Sequence, residues 1–172
     1  GKDELKKINT IAADISLEMM GRAFTGRDLH MNPNKVVTEL KMGQMVIFKA
    51  LFNGTTGYQQ QGPSKKDMTP EEIKEQQDDK GVIPQVFYNT ADYKTEYLGK
   101  GKVGDEETYR LKVVMPSGRT SVQQYAMKSG LLLQEETTNK QGDTDLPITI
   151  EYKNYQKFGA VMFPTQIIRN MG

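Results

Sequence analysis

Residues 36–58 read VVTELKMGQMVIFKALFNGTTGY, and this stretch decides the fold. In its first half, apolar side chains alternate with charged ones at the period of two that places one face of a β-strand on a core. Gly43-Gln44 then reverses the chain into a strongly apolar strand from Met45 to Phe52. Asn53-Gly54 ends that strand with a strong hairpin signal, because both residues tolerate a positive φ. The stretch predicts antiparallel strands joined by short turns.

The same alternation recurs along most of the chain. Ile11 to Met19 predicts a first strand, and Arg22 to Met31 predicts a more polar second strand that ends at the turn signal Asn32-Pro33-Asn34. After residue 90, short turns rich in Gly, Pro and Ser, and the polar turn Asn139–Asp145, separate the remaining predicted strands. These are Tyr93–Leu98, Lys100–Val103, Thr108–Met115, Thr120–Met127, Leu131–Thr137, Ile148–Tyr155 and Val161–Ile168. The predicted fold class is mainly β, a curled antiparallel sheet or half-barrel of about 10–11 strands, with one or two helices covering its concave face.

Residues 62–88 interrupt the strand pattern. Gly62 to Lys66 is predicted to be a loop, and Thr69-Pro70-Glu71-Glu72 then provides a capping threonine, an early proline and a glutamate three residues after the cap. The predicted helix runs from about Pro70 to Asp79, and Ile73 is its only apolar side chain, so it cannot be a core helix. We expect one domain over residues 1–172, with a helical lid insertion at about 69–88.

The composition excludes several kinds of chemistry. Lysine plus arginine, 23, nearly balances aspartate plus glutamate, 22, so no strong field attracts nucleic acid. His30 is the single histidine and there is no cysteine, which removes the usual zinc sites. No serine lies in a Gly-x-Ser-x-Gly motif, which argues against Ser-His-Asp catalysis. We predict a solvated His30, no catalytic residue, no metal and no cofactor. No run approaches the roughly 20 apolar residues of a membrane helix.

Ten methionines are the one unusual feature of the composition. Thioether side chains adapt to irregular apolar ligands, but they also fill gaps in ordinary cores, and both interpretations stay open. The candidate ligand-binding residues are apolar positions whose parity points inward: Ile15, Leu17, Met19, Leu40, Met42, Ile47, Leu51, Leu111, Val113, Ile150 and Phe163. Between Thr120 and Leu133 the inward parity stays open, because Val122 and Tyr125 fall on opposite faces.

A family resemblance rests on residues 46–58, on the helix start at 68–72 and on residues 152–167. These stretches resemble the periplasmic lipoprotein-carrier (LolA/LolB-like) superfamily, especially domains of Bacteroidetes found alone or at the C-terminus of insulinase-type zinc peptidase chains. The resemblance implies a highly curved antiparallel sheet closed by helices, binding of acyl chains or other apolar groups, and a location in the periplasm or at the outer membrane. No arginine aligns with the gating role in the carriers, and the chain contains no His-x-x-Glu-His motif of a zinc peptidase.

Two functional hypotheses follow from these patterns. The first is a non-enzymatic envelope module that binds a lipid, a lipoprotein acyl chain or another apolar ligand in the concave face. The second is a packed structural or interaction domain that is attached to or associated with an insulinase-type zinc peptidase or another envelope protein and has no ligand or active site. We expect a monomer in either case. The first residues lack the apolar core of a signal peptide, and a lone Gly1 before a charged start is typical of a trimmed chain.

Overall fold

The computed structural model describes residues 2–19, 21–141 and 144–171. The chain divides into two compact units, an N-terminal unit of Lys2–Val86 and a C-terminal unit that begins at Phe87. Each unit contains one antiparallel sheet of six strands, and within the described ranges neither sheet closes on itself. The predicted class, mainly β with antiparallel pairing and few helices, is confirmed. The described strands number twelve rather than about 10–11, and they form two sheets.

The N-terminal unit is a meander in which each strand pairs with the next one along the chain. Its helices are α1 (Lys2–Lys6) and α2 (Pro70–Gln76), and a 3-10 helix (Pro84–Phe87) lies at its end. Its strands are β1 (Thr10–Met19), β2 (Arg22–Met31), β3 (Lys35–Met42), β4 (Met45–Phe52), β5 (Gly57–Gln61) and β6 (Ser64–Asp67). No helix among the described residues is long and apolar enough to cross a membrane.

One face of the N-terminal sheet is buried. On β1 the larger apolar side chains Ile11, Ile15 and Leu17 are half-buried, whereas the polar side chains between them are exposed. Cross-strand pairing places Ile15, Gly26 and Leu40 in one row on this side. Phe24 and Phe52, which are 7% and 1% exposed, lie on the same side. We call this side the Phe52 face, and its burial is what the period of two on β1 predicts.

Helix α2 begins where the sequence predicts. Thr69 Oγ1 accepts a hydrogen bond from the Glu72 backbone N–H at 3.2 Å, and the Glu72 carboxylate accepts from the Thr69 N–H at 2.7 Å. This capping box satisfies two N–H groups that the first helical turn leaves unpaired. The helix ends at Gln76 rather than near Asp79, because the chain turns there and buries Asp78 completely.

The segment predicted as a loop after residue 62 contains the edge strand β6. Its side chains are all exposed and polar, and it pairs with β5, for example through Gln60 and Lys65. The Lys65 Nζ lies 4.0 Å from the centre of the Tyr58 ring, which is within the range of a cation–π contact. An exposed edge strand needs no apolar alternation, so the sequence pattern gave no sign of it.

The C-terminal unit is a second meander, with its strands again paired in chain order. Its strands are β7 (Lys94–Val103), β8 (Glu106–Val114), β9 (Thr120–Ala126), β10 (Leu132–Gln141), β11 (Thr144–Phe158) and β12 (Val161–Met171). The two strands predicted before Val103 are one strand, β7, with a register shift between Tyr97 and Gly99. The polar turn predicted at Asn139–Asp145 includes Gly142 and Asp143, which lie outside the described residues.

The core of the C-terminal unit lies on one face of its sheet. Val113 is 0% exposed and packs with Tyr93 and Met115. Phe87 and Tyr88, from the segment that precedes β7, pack on this cluster, and so does Leu111 of β8. We call the side of the sheet that carries Val113 the Val113 face. Residues 87–93 therefore cover its part nearest to β8.

Candidate functional site

The predicted ligand-binding residues of the N-terminal unit fall on both faces of its sheet. Ile15, Leu17 and Leu40 are half-buried on the Phe52 face. Leu51 pairs with Val37 and therefore lies on the opposite face. The structure thus brings the first three residues together and separates Leu51 from them.

The other predicted residues of this unit lie at or near strand ends. Met42 is 36% exposed at the hairpin between β3 and β4, a position that does not line an enclosed site. Ile47 is half-buried at the bulge where the pairing of β3 with β4 shifts. Met19 is the last residue of β1, and its side chain lies outside the described part of the structure.

A polar cluster lies among the apolar side chains of the Phe52 face. His30 Nε2 lies 2.8 Å from Asp28 Oδ2, and Thr38 Oγ1 donates to Asp28 Oδ1 at 2.6 Å. We call these three residues the Asp28 cluster. The predicted solvated His30 is instead half-buried and paired with a carboxylate.

The pairing changes the acidity of both charged groups. Burial acts to raise the pKa of Asp28, but the hydrogen bonds from His30 and Thr38 outweigh it, so this pKa lies below its ordinary value of 3.8. The hydrogen bond to Asp28 raises the pKa of His30 above 6.5 against the effect of burial, and Asp79 acts in the same direction. The Asp28 cluster is therefore a carboxylate paired with an imidazole whose protonated form it stabilises.

The predicted residues Leu111, Val113 and Ile150 of the C-terminal unit share the Val113 face. Leu111 packs on the core, Val113 is fully buried and Ile150 is 8% exposed. Leu111 and Ile150 belong to one cross-strand row. Phe163 lies farther along β12, half-buried, with its ring centre 6.3 Å from that of Phe158. It is not part of this row.

Two polar residues occupy the middle of that row. The register runs from Leu111 through Gln123 and Glu135 to Ile150. Gln123 is 2% exposed, and Glu135 is half-buried. None of the sequence patterns singled out either residue, because a polar side chain in an alternating strand is normally assigned to the wet face.

Tyrosine hydroxyls surround the Gln123–Glu135 pair. Gln123 Nε2 donates to Glu135 Oε1 at 3.3 Å and also lies 3.0 Å from the hydroxyl of Tyr88. Tyr125 donates its hydroxyl hydrogen to Gln123 Oε1 at 2.5 Å, and Tyr152 donates to Glu135 Oε2 at 3.0 Å. We call these five residues the Glu135 cluster.

Tyr125 and Tyr152 of this cluster are held in the neutral form. Burial is the largest cause that raises the pKa of Tyr125 and of Tyr152, and the charge of Glu135 adds to it in both. Burial also raises the pKa of the neighbouring Tyr155 to about 12. Phenols that stay protonated at neutral pH can donate hydrogen bonds but are poorly suited to proton transfer. The cluster is therefore built to hold a polar group.

Apolar side chains continue from the core to the edge strand of the Val113 face. Ile167 pairs with Tyr152 and is 58% exposed, and Met171 pairs with Ile148 and is 67% exposed. Ile148 itself is only 9% exposed. This face therefore carries, side by side, a buried core, the Glu135 cluster and an exposed apolar edge. No group of three or more His, Asp or Glu side chains in the described ranges could hold a metal ion.

Comparison with known proteins finds similarity in structure. No family model and no curated protein sequence matches the chain. A LolA superfamily protein from Nitrosomonas europaea aligns over 95% of this chain and 76% of its own, with 13% identity and a TM-score of 0.58. A DUF1329 family protein from Desulfovibrio piger ATCC 29098 aligns over 99% and 82%, with 12% identity and a TM-score of 0.61.

A third solved structure, from Vibrio parahaemolyticus, is provisionally described as an outer membrane lipoprotein-sorting protein domain. It aligns over 95% of this chain and 78% of its own, with 12% identity and a TM-score of 0.62. At such low identity these similarities establish the fold alone. The predicted resemblance to the lipoprotein-carrier superfamily is confirmed at that level.

Proposed function

We propose that this protein is a non-enzymatic envelope module that binds a lipid or another apolar ligand on the Val113 face. The observation that carries the proposal is an apolar surface on which the buried Ile148 and Ile150 lie next to Met171 and Ile167, 67% and 58% exposed, on either side of the exposed Arg169. Exposed apolar side chains that border a buried apolar core, unlike scattered ones, mark a binding surface.

The comparisons support the class of ligand and the location. One solved neighbour belongs to the LolA superfamily, and another is provisionally described as an outer membrane lipoprotein-sorting domain. We therefore propose a periplasmic or outer-membrane-associated location and an acyl chain as the preferred ligand. Because these neighbours align with 95% or more of the chain, we also propose that residues 1–172 form one monomeric LolA-like domain, with residues 69–88 as its lid.

The predicted ligand-binding residues of the N-terminal unit have less structural support. Ile15, Leu17 and Leu40 share the Phe52 face, which is a separate candidate surface for an apolar ligand. Their large neighbours Phe24 and Phe52 are buried, whereas the apolar edge of the Val113 face is exposed. The Val113 face is thus the better candidate for binding an apolar ligand.

The proposal is tested by looking for a ligand and by charging the apolar edge. Native mass spectrometry of the purified protein, followed by extraction with organic solvent, should reveal a stoichiometric lipid. Ile167→Asp should weaken uptake of a fluorescent fatty-acid analogue by about tenfold or more, because a carboxylate resists transfer into an apolar contact. Asn170→Asp places the same charge on the opposite face of β12 and is the matched control.

The alternative is a packed interaction domain that is attached to or associated with an insulinase-type zinc peptidase. Its support is the buried Tyr93, Val113 and Met115 cluster, which fills part of the Val113 face without a ligand. This alternative predicts a protein mass without adduct and no uptake of the fatty-acid analogue by the unmodified chain. Those two results together would reject the ligand-binding proposal.

A further inference from the structure

Glu135 is a half-buried carboxylate between polar and apolar side chains. Its row on the Val113 face places Gln123 on one side and Ile150, 8% exposed, on the other. Moving a carboxylate out of water is costly unless a positive group or several hydrogen bonds replace the lost solvation. The half-buried Glu135 carboxylate therefore needs hydrogen-bond donors or a positive group nearby.

The partners that the chain itself provides are neutral. Glu135 accepts one hydrogen bond from the Gln123 amide and one from the Tyr152 hydroxyl. Within the part of the chain that the structure describes, no lysine, arginine or histidine forms an ion pair with this carboxylate. Arg169 lies beyond Ile150 in the same row and is exposed, and its charge acts on Tyr152. The negative charge of Glu135 is thus solvated but not neutralised.

The surroundings favour an organic cation over a metal ion. Calcium and magnesium are bound by several oxygen ligands, usually with more than one carboxylate, whereas this cluster offers a single carboxylate. Tyr88 and Tyr125 contact Gln123 through their hydroxyl groups, and Tyr152 contacts Glu135 in the same way. A carboxylate next to neutral hydroxyl and amide oxygens suits an ammonium group, which donates up to three hydrogen bonds to such acceptors.

We infer that Glu135 and the tyrosines of its cluster bind a protonated amine in the polar head of the apolar ligand. The inference rests on the proposed function, since the exposed edge at Ile167 and Met171 would hold the apolar chain of the same molecule. Ile167 pairs directly with Tyr152, which donates to Glu135, so head and chain sites are adjacent on the face. The ligand class is therefore an amine-bearing amphiphile.

The test uses three probes with one chain length: decylammonium, 1-decanol and decanoate. Each displaces the neutral fluorescent dye N-phenyl-1-naphthylamine from the full chain at neutral pH. Decylammonium should bind about tenfold more tightly than decanol, as expected for a charge-assisted contact in a partly desolvated site, and decanoate should bind most weakly. Glu135→Gln should reduce the preference for decylammonium over decanol to about twofold or less while leaving decanol binding unchanged.

Glu136→Gln is the matched control, because it makes the same change one residue along β10, on the opposite and exposed face. It should keep the preference of the unmodified chain. Tyr152→Phe, which removes a neutral donor and keeps the charge, should also keep a preference, and its circular dichroism and that of Glu135→Gln should match the unmodified protein.

The two proposals fail in different ways. Equal binding of decylammonium and decanol, or a preference that survives Glu135→Gln, overturns the amine site and leaves the apolar-ligand function standing. Failure of all three probes to displace the dye, or failure of the dye to bind, overturns both. If the Glu135→Gln chain does not fold, the double variant Tyr125→Phe with Tyr152→Phe is used instead. It should weaken the preference for decylammonium over decanol by about threefold, because the hydrogen bonds to Gln123 and Glu135 are lost.

Discussion

The two sheets each bury one carboxylate on the face that carries the core, and they treat it differently. On the Phe52 face, Asp28 is paired with His30 at 2.8 Å and also accepts from Thr38. On the Val113 face, the donors to Glu135 among the described residues are Gln123 and Tyr152, which are neutral. The first arrangement is complete within the chain, whereas the second leaves a negative charge for something else to neutralise.

The difference separates a structural site from a candidate binding site. A carboxylate with an internal cation contributes to stability, and its removal leaves the partner without its counter-charge. A carboxylate without one costs free energy in the unliganded protein, and such costs are typical of groups kept for function.

The largest expected effect is at Gly26, next to Asp28 on the Phe52 face. A Cβ at this position would lie 2.1 Å from the Glu39 carbonyl oxygen and 2.9 Å from Leu40 Cδ2, so β2 and β3 would have to separate. Gly26→Ala should lower the free energy of unfolding by about 3 kcal/mol and weaken the Thr38–Asp28 hydrogen bond between these strands. Urea denaturation measures the change.

Gly101→Ala in the other sheet is the comparison. There a Cβ would meet Arg110 Cδ at 2.7 Å and the Gln124 side chain at 2.9 Å, which are side-chain atoms, whereas Gly26 faces a backbone carbonyl. The cost of Gly101→Ala should be about 1 kcal/mol. Equal losses in the two variants would show that the N-terminal strands are not held as closely as the structure indicates.

Asp28→Asn should have the next largest effect. The amide keeps the shape of the side chain but removes the charge that faces His30. The free energy of unfolding should fall by about 1 kcal/mol. Solvent limits the effect, because the Asp28 and His30 side chains are 30% and 38% exposed. Asp14→Asn is the matched control on β1, where the side chain is 92% exposed, and should change stability very little. An unchanged Asp28→Asn protein would contradict the view of the Asp28 cluster as a stabilising pair.

Glu135→Gln, unlike Asp28→Asn, should not lower the free energy of unfolding. Removing a half-buried charge that has no internal cation should leave stability unchanged or raise it by up to about 1 kcal/mol in the unliganded chain. Thermal unfolding of lipid-free protein, next to Glu136→Gln, measures the effect. A loss as large as that of Asp28→Asn would mean that Glu135 is a structural residue like its counterpart.

The smallest expected effect is a dependence on pH. The folded-state pKa of His30 is raised above 6.5, so the stability it contributes is fully present below pH 6.5 and is lost as pH rises through the raised value. Because His30 is partly exposed, we expect a decrease of about 0.5 kcal/mol between pH 6 and pH 8.5. The dependence should vanish in His30→Gln, and a rise in stability over this range in the unmodified protein, absent from His30→Gln, would show that the sign is wrong.

The lowered pKa of Asp28 predicts a second change at acidic pH. Its contribution is present above 3.8 and is lost as pH falls through the lower folded value. Acid unfolding monitored by circular dichroism should therefore begin at higher pH in Asp28→Asn than in the unmodified protein. Coincident acid transitions would show that this carboxylate does not contribute.

Local patterns predicted most of the strands correctly. The alternation in residues 11–19 and 36–42 and the cap at Thr69 each depend on neighbours in sequence, and the structure confirms all three. The edge strand β6 was missed because an exposed edge tolerates four polar residues in a row. The helix end at Gln76 depends on the burial of Asp78, which is a tertiary effect.

The candidate site was harder to predict, because it depends on register between strands. Leu111, Val113 and Ile150 were chosen by alternation within single strands, and they do share a face. Alternation could not show that Gln123 and Glu135 lie between them, since a polar residue gives no signal of burial. Leu51 was assigned to the wrong side of its sheet relative to Ile15 and Leu40, because the bulge next to Leu40 shifts the parity that a regular β4 would have.

The most direct test of the proposed function follows the isoleucine methyl groups by NMR during titration with decylammonium. Ile148, Ile150 and Ile167 report on the Val113 face, and Ile11 and Ile15 report on the Phe52 face. A ligand on the Val113 face should shift the first three signals most strongly, with saturation at one equivalent. Shifts confined to Ile11 and Ile15, or no saturable shift at any isoleucine, would contradict the assignment of ligand binding to the Val113 face.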